Sequence, residues 1–336
     1  MTPPIAVVGL GLACPVGWRS SSALTAMRAG VTRFTEVGEL VGPGGPVRAS
    51  MLASLDPAAT RTARATAFAR AALREAVADL TPGERPLPCF LALPGPGPGP
   101  RLDLDALRRD LVDVAPGAAR LDLRRTTETG RAGIFSALLA ATKLLHGPGD
   151  ERLALVGGID SLVDPHTLAD LADHNRLLGR SNLDGILPGE GAAFLLLARP
   201  GPPRRALAHI LTTAIADEPI PFVRAGDRLS ASDGLTEAFK KLRDGHPDRV
   251  AELFAGTTGE AYFGRELSHA YLRNVALMPE PMRCTSTYAA LGDTGAAAGA
   301  IALVQAIASL TANRTALAYA SSDTGPVGAA LLTRPA

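Results

Sequence analysis

Thr126–Val163 reads TTETGRAGIFSALLAATKLLHGPGDERLALVGGIDSLV, and Asp173–Pro200 reads DHNRLLGRSNLDGILPGEGAAFLLLARP. A Gly-bearing turn at Thr129-Gly130-Arg131 opens an apolar helix. The polar break His146–Glu151 ends that helix, and Leu153–Val156 is short and apolar enough for a buried strand running into Gly157-Gly158. Pro188-Gly189-Glu190-Gly191 then leads into a second apolar strand, Ala192–Leu197. A turn, helix, strand and returning strand in this order aim one helix N-terminus at a site. The residue standing at that N-terminus is Gly130.

The flanking sequence continues the alternation. Pro4–Leu10 reads as a first strand, Ser20–Ser22 caps a helix to Arg28, and Val31–Asp56 is irregular and rich in Gly and Pro. Apolar residues at helical spacing from Ala63 to Leu80 predict an amphipathic helix over 58–80. Strands are expected at Cys89–Leu93 and Arg120–Leu123 and a helix at Leu102–Val114; Pro94–Pro100, alternating Pro and Gly, is a stiff surface loop. Beyond Pro200 the pattern restarts, with strands at Ala206–Ala216, Arg249–Phe254, Thr315–Ala320 and Gly328–Thr333. Helices are expected from Ser230 to Arg243, Glu260 to Val275 and Ala296 to Ala312. This βα order predicts an α/β fold of two duplicated halves with mixed sheets, 1–200 and 201–336, in one compact unit with a site at their junction.

Composition narrows the function classes. The chain has 336 residues and is 46% hydrophobic with a mean hydropathy of +0.14, enough for a full core. Thirty-four basic and 33 acidic residues leave a net charge of +1, without the basic excess of a general nucleic-acid binder. No run reaches the ~18–20 apolar residues of a membrane span. The apolar N-terminus lacks a basic segment and reads as a core strand rather than a leader. Cys14, Cys89 and Cys284 have neither disulfide nor zinc spacing, which points to a reduced, cytoplasmic setting. Gly9-Leu10-Gly11 lacks the third glycine of a dinucleotide loop, and no cofactor is expected.

The sequence resembles the β-ketoacyl synthases of the thiolase superfamily. IAVVGLGLACPVGWRSSSALTAMRAG, LALVGGIDSLVDP, LLGRSNLDGILPGEGAAFLLLARP and SSDTGPVGAALLTRP carry the likeness in order along nearly the whole chain. The resemblance implies a five-layered αβαβα fold, a homodimer or ketosynthase-like heterodimer, and decarboxylative condensation at a Cys-His-His site with a supporting lysine. That chemistry uses a thiolate at a helix N-terminus and two histidines that stabilise developing oxyanions. The matching positions here are Gly130 for the cysteine, Ala255 and Asp293 for the histidines, and Tyr288 for the lysine. All four depart from the family pattern, so the family acyltransferase activity is not expected. GRAGIFSALLAA, DHNRLLGRSNLDGILPGEGAA and GTTGEAYFGRELSHAYLRN are similar to a subgroup of short ketosynthase-like proteins from type VI secretion-associated gene clusters. The implied partners are an acyl carrier protein or a secretion component.

Several residues are candidates for whatever the site does. Glu128, Arg131, Glu260 and Asp293 either form a pocket for a small polar ligand or fill the vacated space by pairing, and Thr257, three residues before Glu260, is a further candidate pocket residue. Cys284, nine residues before Asp293, is either close to that pocket or a core thiol, and Ser136 reads as a packing residue. His166, Asp170 and His174 share one helix face, but the outer two are about 12 Å apart along the axis, too far to share an ion. The expected protein is therefore a ketosynthase-like binding or scaffold partner, with two alternatives: a repurposed acyltransferase or thioester-processing enzyme, or a silent subunit like a chain-length factor.

Overall fold

The structure is a computed structural model and describes residues 3–42, 45–80, 86–112, 114, 121–199, 205–226, 228–246 and 248–335. The N-terminal part contains β1 (Ile5–Ala13), α1 (Ser20–Arg28), β2 (Phe34–Gly42), β3 (Gly45–Ser50), α2 (Arg61–Ala76), β4 (Leu87–Ala92) and α3 (Leu104–Val112). It continues through β5 (Leu121–Thr127), α4 (Gly133–His146), β6 (Leu153–Ser161), α5 (Pro165–Asp173) and β7 (Glu190–Ala198). The C-terminal part contains β8 (Ala208–Asp217), α6 (Phe222–Ala225), α7 (Asp233–Gly245), β9 (Glu252–Ala255), α8 (Ala261–Arg273) and β10 (Cys284–Ser286). It closes with α9 (Tyr288–Leu291), α10 (Ala298–Ser309), β11 (Thr315–Ser321) and β12 (Pro326–Thr333).

Ten strands join in the order β10-β9-β11-β12-β8-β1-β7-β6-β4-β5. Read outward from the middle, β1-β7-β6-β4-β5 and β8-β12-β11-β9-β10 repeat one topology. In each set the first three strands run antiparallel in turn, and the last two run parallel to the third. The two sets meet where Ile5–Val7 of β1 pairs with Ala208–Ile210 of β8.

Helices on both faces of the sheets make the five-layered αβαβα fold of mixed sheets. α2 and α3 cover one outer face, α7 and α8 the other, and α4 and α10 are packed between. α10 is buried along nearly its whole length because both halves of the ten-stranded sheet and α4 surround it, which is why its sequence is apolar on every side. α2 begins where Thr60 accepts a hydrogen bond from the Ala63 amide, and it buries Phe68, Ala69, Ala72 and Leu73 on the sheet. The Gly157-Gly158 pair lies inside β6, where a Cβ on Gly158 would meet the Ala296 carbonyl oxygen at 2.7 Å. A side chain there would push away the turn that starts α10.

Two local expectations are corrected. Val31–Asp56 is not wholly irregular: β2 and β3 form an antiparallel pair there, a small two-stranded sheet whose Gly and Pro content hides its alternation. The helix expected from Ser230 starts at Asp233, behind Ser232 in a left-handed conformation (φ 63°), because the Glu218 carboxylate accepts the Gly234 amide in place of a serine cap. The segment after β8 also contains the short helix α6.

Candidate functional site

β5 ends at Thr127, and the chain turns at Gly130, whose φ is 73°. Its amide donates to the Leu93 carbonyl at 3.1 Å, and a 3-10 turn over Gly130–Ala132 feeds α4. A Cβ at Gly130 would lie 3.7 Å from Ser322 Oγ, an ordinary contact. The glycine is therefore required by the left-handed backbone and not by a shortage of space. Ser322 Oγ accepts the Ala132 amide at 2.9 Å.

The other half repeats this turn. Gly295, with φ 52°, opens a 3-10 turn over Gly295–Ala297 that feeds α10. Here two carboxylates meet the helix start: Asp293 Oδ1 accepts the Gly295 amide and Asp160 Oδ2 the Ala296 amide, both at 2.9 Å. Negative groups at a helix N-terminus oppose its positive end. One central helix thus starts against a neutral hydroxyl and the other against two acids.

Arg131 connects the two turns. Its Nη1 donates to Asp293 Oδ2 at 2.8 Å and its Nε to the Ser321 carbonyl at 2.9 Å, and Nη2 pairs with Asp323. The guanidinium lies 4.9 Å from the Phe263 ring centroid, a stacking that suits a flat, weakly hydrated cation. Arg176 donates to both oxygens of Glu260, at 2.7 and 2.9 Å, and to Asp323 Oδ2 at 3.2 Å. Thr258 Oγ1 donates to Glu260 Oε2 at 2.9 Å. Beside this network Arg61 reaches Asp160 Oδ1 at 2.9 Å and holds the carbonyls of Pro98 and Pro100.

Two arginines therefore serve three carboxylates. Burial opposes the charge on Asp323, but Arg131 and Arg176 outweigh it and hold its carboxyl below the usual range. Burial wins at Glu260, whose carboxyl is raised despite Arg176. Burial would also lower the Arg131 pKa, but Asp323, Asp293 and Glu260 outweigh it and keep the guanidinium firmly charged.

The space left over the elbow is a cleft of about 60 Å³ lined by Gly130, Arg131, Arg176, Asp293, Asp323 and the Pro94–Pro98 loop. It has room for a few water molecules and is well short of the ~300 Å³ of a typical ligand pocket. The Pro/Gly loop is more than a surface feature. It packs on the elbow at Gly95, and Asp170 Oδ2 pins its far end by accepting the Gly99 amide at 2.8 Å.

The structure brings Arg131, Glu260 and Asp293 together and leaves the other candidates outside. Glu128 is half exposed and faces the exposed Arg101 at 3.5 Å. Thr257 donates to the Thr258 carbonyl at 2.9 Å and does not line the cleft. Cys284 is neither near the cleft nor a core thiol: it is exposed at the start of edge strand β10. Ala255 ends β9 with its carbonyl bonded to the Thr287 amide, and the Tyr288 hydroxyl accepts the Leu187 amide at 3.0 Å. Ser136 is half-buried on α4. Asp170 engages the Pro/Gly loop and His174 Nδ1 the Asp170 carbonyl, and among the described residues no three side chains are grouped to hold a metal.

Sequence reasoning missed Arg176, Asp323 and the Arg61–Asp160 pair. The available signal was the polar run Ser321–Thr324 between two apolar strands, at the end of a strand where α/β sites lie.

The layered order and the repeated five-strand topology match solved structures. The fold is the thiolase-like fold of ketosynthases. A structure titled the ishigamide ketosynthase/chain length factor is 19% identical with a TM-score of 0.72, and the match covers 99% of this chain and 100% of that one. A type II polyketide synthase ketosynthase in complex with its acyl-carrier protein is 15% identical over 99% of both chains, with a TM-score of 0.74. The ketosynthase from module 6 of the bacillaene synthase from Bacillus subtilis 168 is 14% identical over 99% of this chain and 72% of that one, with a TM-score of 0.76. No protein-family model matches the sequence and no match is found among curated proteins. Among the described residues no helix is long and apolar enough to cross a membrane.

Proposed function

We propose that this chain is a ketosynthase-like protein without condensing activity that works as a binding or scaffold partner. The observation that carries the reading is the pairing of Arg131 with Asp293 and Asp323 over Gly130. The elbow presents no nucleophile, and the space above it is occupied by ion pairs. An aspartate where an oxyanion must be stabilised would repel the charge that develops. The two carboxylates facing Arg131 also leave its guanidinium engaged before any acyl group arrives. Mass spectrometry of the purified protein after incubation with acyl-CoA and acyl-carrier thioesters tests this. No covalent adduct is expected, and an acyl mass shift on any residue overturns the reading.

A second reading is favoured by one observation, the likeness along the full length to a structure titled ketosynthase/chain length factor. In that reading the chain is the silent subunit of a heterodimer with an active ketosynthase-like chain. The outer edge of β5, which pairs with no further strand among the described residues, offers main-chain groups for a partner strand. Sedimentation of the purified chain separates the two. A stable homodimer supports self-association, and a monomer that dimerises only with a ketosynthase supports the silent subunit. An acyl carrier protein or a secretion component remains the partner class suggested by the sequence resemblance. Of the three candidates for the thioester-processing alternative, Asp293 lines the cleft, whereas Glu128 and Cys284 do not.

A further inference from the structure

A groove of about 740 Å³ runs along the outer face of α2, between that helix and the turn that follows β1. Trp18, the single tryptophan of the chain, stands at one side. One ring face stacks on the buried Phe68 at 5.2 Å, yet 41% of the residue is exposed. Ala67 and Ala71 continue the apolar surface along the helix, and Arg19, Arg70 and Arg74 complete the walls.

The charge in the groove is one-sided. Arg70 Nη1 donates to the Asp110 carbonyl at 2.8 Å and Arg74 Nε to the Val114 carbonyl at 3.2 Å, so main-chain oxygens hold both arginines in place. Neither has a carboxylate partner among the described residues, and there the Arg19 guanidinium has no hydrogen bond or ion pair. The acid that lines the groove, Glu75, is turned inward: its Oε2 accepts the Ser20 amide and hydroxyl at 2.8 Å and the Leu12 amide at 3.3 Å. Three positive charges thus surround an exposed indole on a chain whose net charge is only +1.

We propose that this groove docks an acidic amphipathic helix of a partner protein. An apolar side chain of the partner seats on Trp18, and its carboxylates face Arg19, Arg70 and Arg74. Trp and Arg dominate binding energy at such interfaces, and the guanidinium fork matches a carboxylate. From Ala67 to Glu75 the groove follows the helix for about 12 Å, a little over two helical turns. The proposal rests on the reading of the chain as a binding partner and names where and to what it binds.

The single tryptophan makes the test direct. The probe is a synthetic helix of about 18 residues with leucine on one face and glutamate on the other. Addition to the full-length protein is expected to shift the Trp18 emission to shorter wavelength, with binding that weakens as salt is raised. Anisotropy of the labelled peptide is expected to show at least tenfold weaker binding to Arg70→Glu/Arg74→Glu. Arg19→Glu, at an exposed turn position, serves as a second variant should the first fail to fold. Absence of any emission change overturns the proposal. So does equal affinity for a lysine-faced peptide, for single-stranded DNA or for the charge-reversed variant. An acyl adduct in the mass-spectrometric test would remove the non-condensing reading and leave the groove result standing, so the two failures are distinguishable.

Discussion

Arg131 Nη1 lies 2.8 Å from Asp293 Oδ2, and each residue belongs to the turn that starts one of the two central helices. The contact joins the two halves of the fold at the point where their repeated topologies converge. Both side chains are almost fully buried, so the charges are compensated by each other and by Asp323, not by water.

Replacing Arg131 should therefore be costly. Arg131→Ala leaves Asp293 and Asp323 buried without their shared cation, and a loss of about 3–5 kcal/mol in unfolding free energy is expected. Arg131→Lys should restore only part of it, because a point charge cannot serve two carboxylates and the Ser321 carbonyl in a fixed plane. Urea denaturation of the three proteins checks both statements.

Gly130→Ala should fold and lose about 1–2 kcal/mol, from the left-handed backbone alone. The nearest atom to the new methyl is 3.7 Å away, so no packing penalty is added. Gly130→Cys should show the same stability loss and no condensation of acyl and malonyl thioesters, since Ala255 and Asp293 supply no imidazole. A turnover signal from that variant would contradict the proposed loss of chemistry.

Glu266 on α8 should make stability depend on pH. Burial raises its carboxyl to about 7, with a smaller contribution from Glu218; Ser321 and Arg131 act in the opposite sense. Tyr262 and Tyr319 also face this region. The folded protein holds the proton more tightly than the unfolded chain. Stability is then fullest below the unfolded carboxyl value near 4.5 and falls as pH rises to about 7, where it levels off. The change is on the order of 3 kcal/mol. Glu266→Gln should flatten this dependence and melt higher than the parent at pH 8. Thermal melts of both proteins at pH 5 and 8 read the difference.

Arg64 and Glu190 form a bidentate pair, both bonds at 2.8 Å and both side chains fully buried. Arg64→Met alone is expected to lose about 3–5 kcal/mol. Adding Glu190→Leu should recover part of that. The remainder belongs to the Leu52 amide and the Ser161 hydroxyl, which Glu190 also accepts. A double-mutant cycle measures the split.

Much of the architecture is legible in the amino-acid sequence. The apolar strands Leu153–Ser161 and Glu190–Ala198, the all-round apolar helix Ala298–Ser309 and the glycine at 130 each follow from local rules. Side-chain period, chain-breaking residues and backbone freedom act over a few residues, so they can be read without the fold. The hairpin at β2 and β3 escaped because glycine and proline obscured its alternation.

The site was less accessible. Arg131 pairs with Asp293 and Asp323 across more than 160 positions, and Arg176 with Glu260 across 84. Glu128, one turn away from Arg131 in the sequence, faces outward instead. Which charges meet depends on how the two halves of the ten-stranded sheet close around α4 and α10, and that closure is a property of long-range packing. Local residue patterns are enough to specify a duplicated α/β chain with a glycine at the elbow. That paired charges cover this elbow follows from the packing of distant segments, because a buried ion finds its counter-charge by proximity in space and not along the chain.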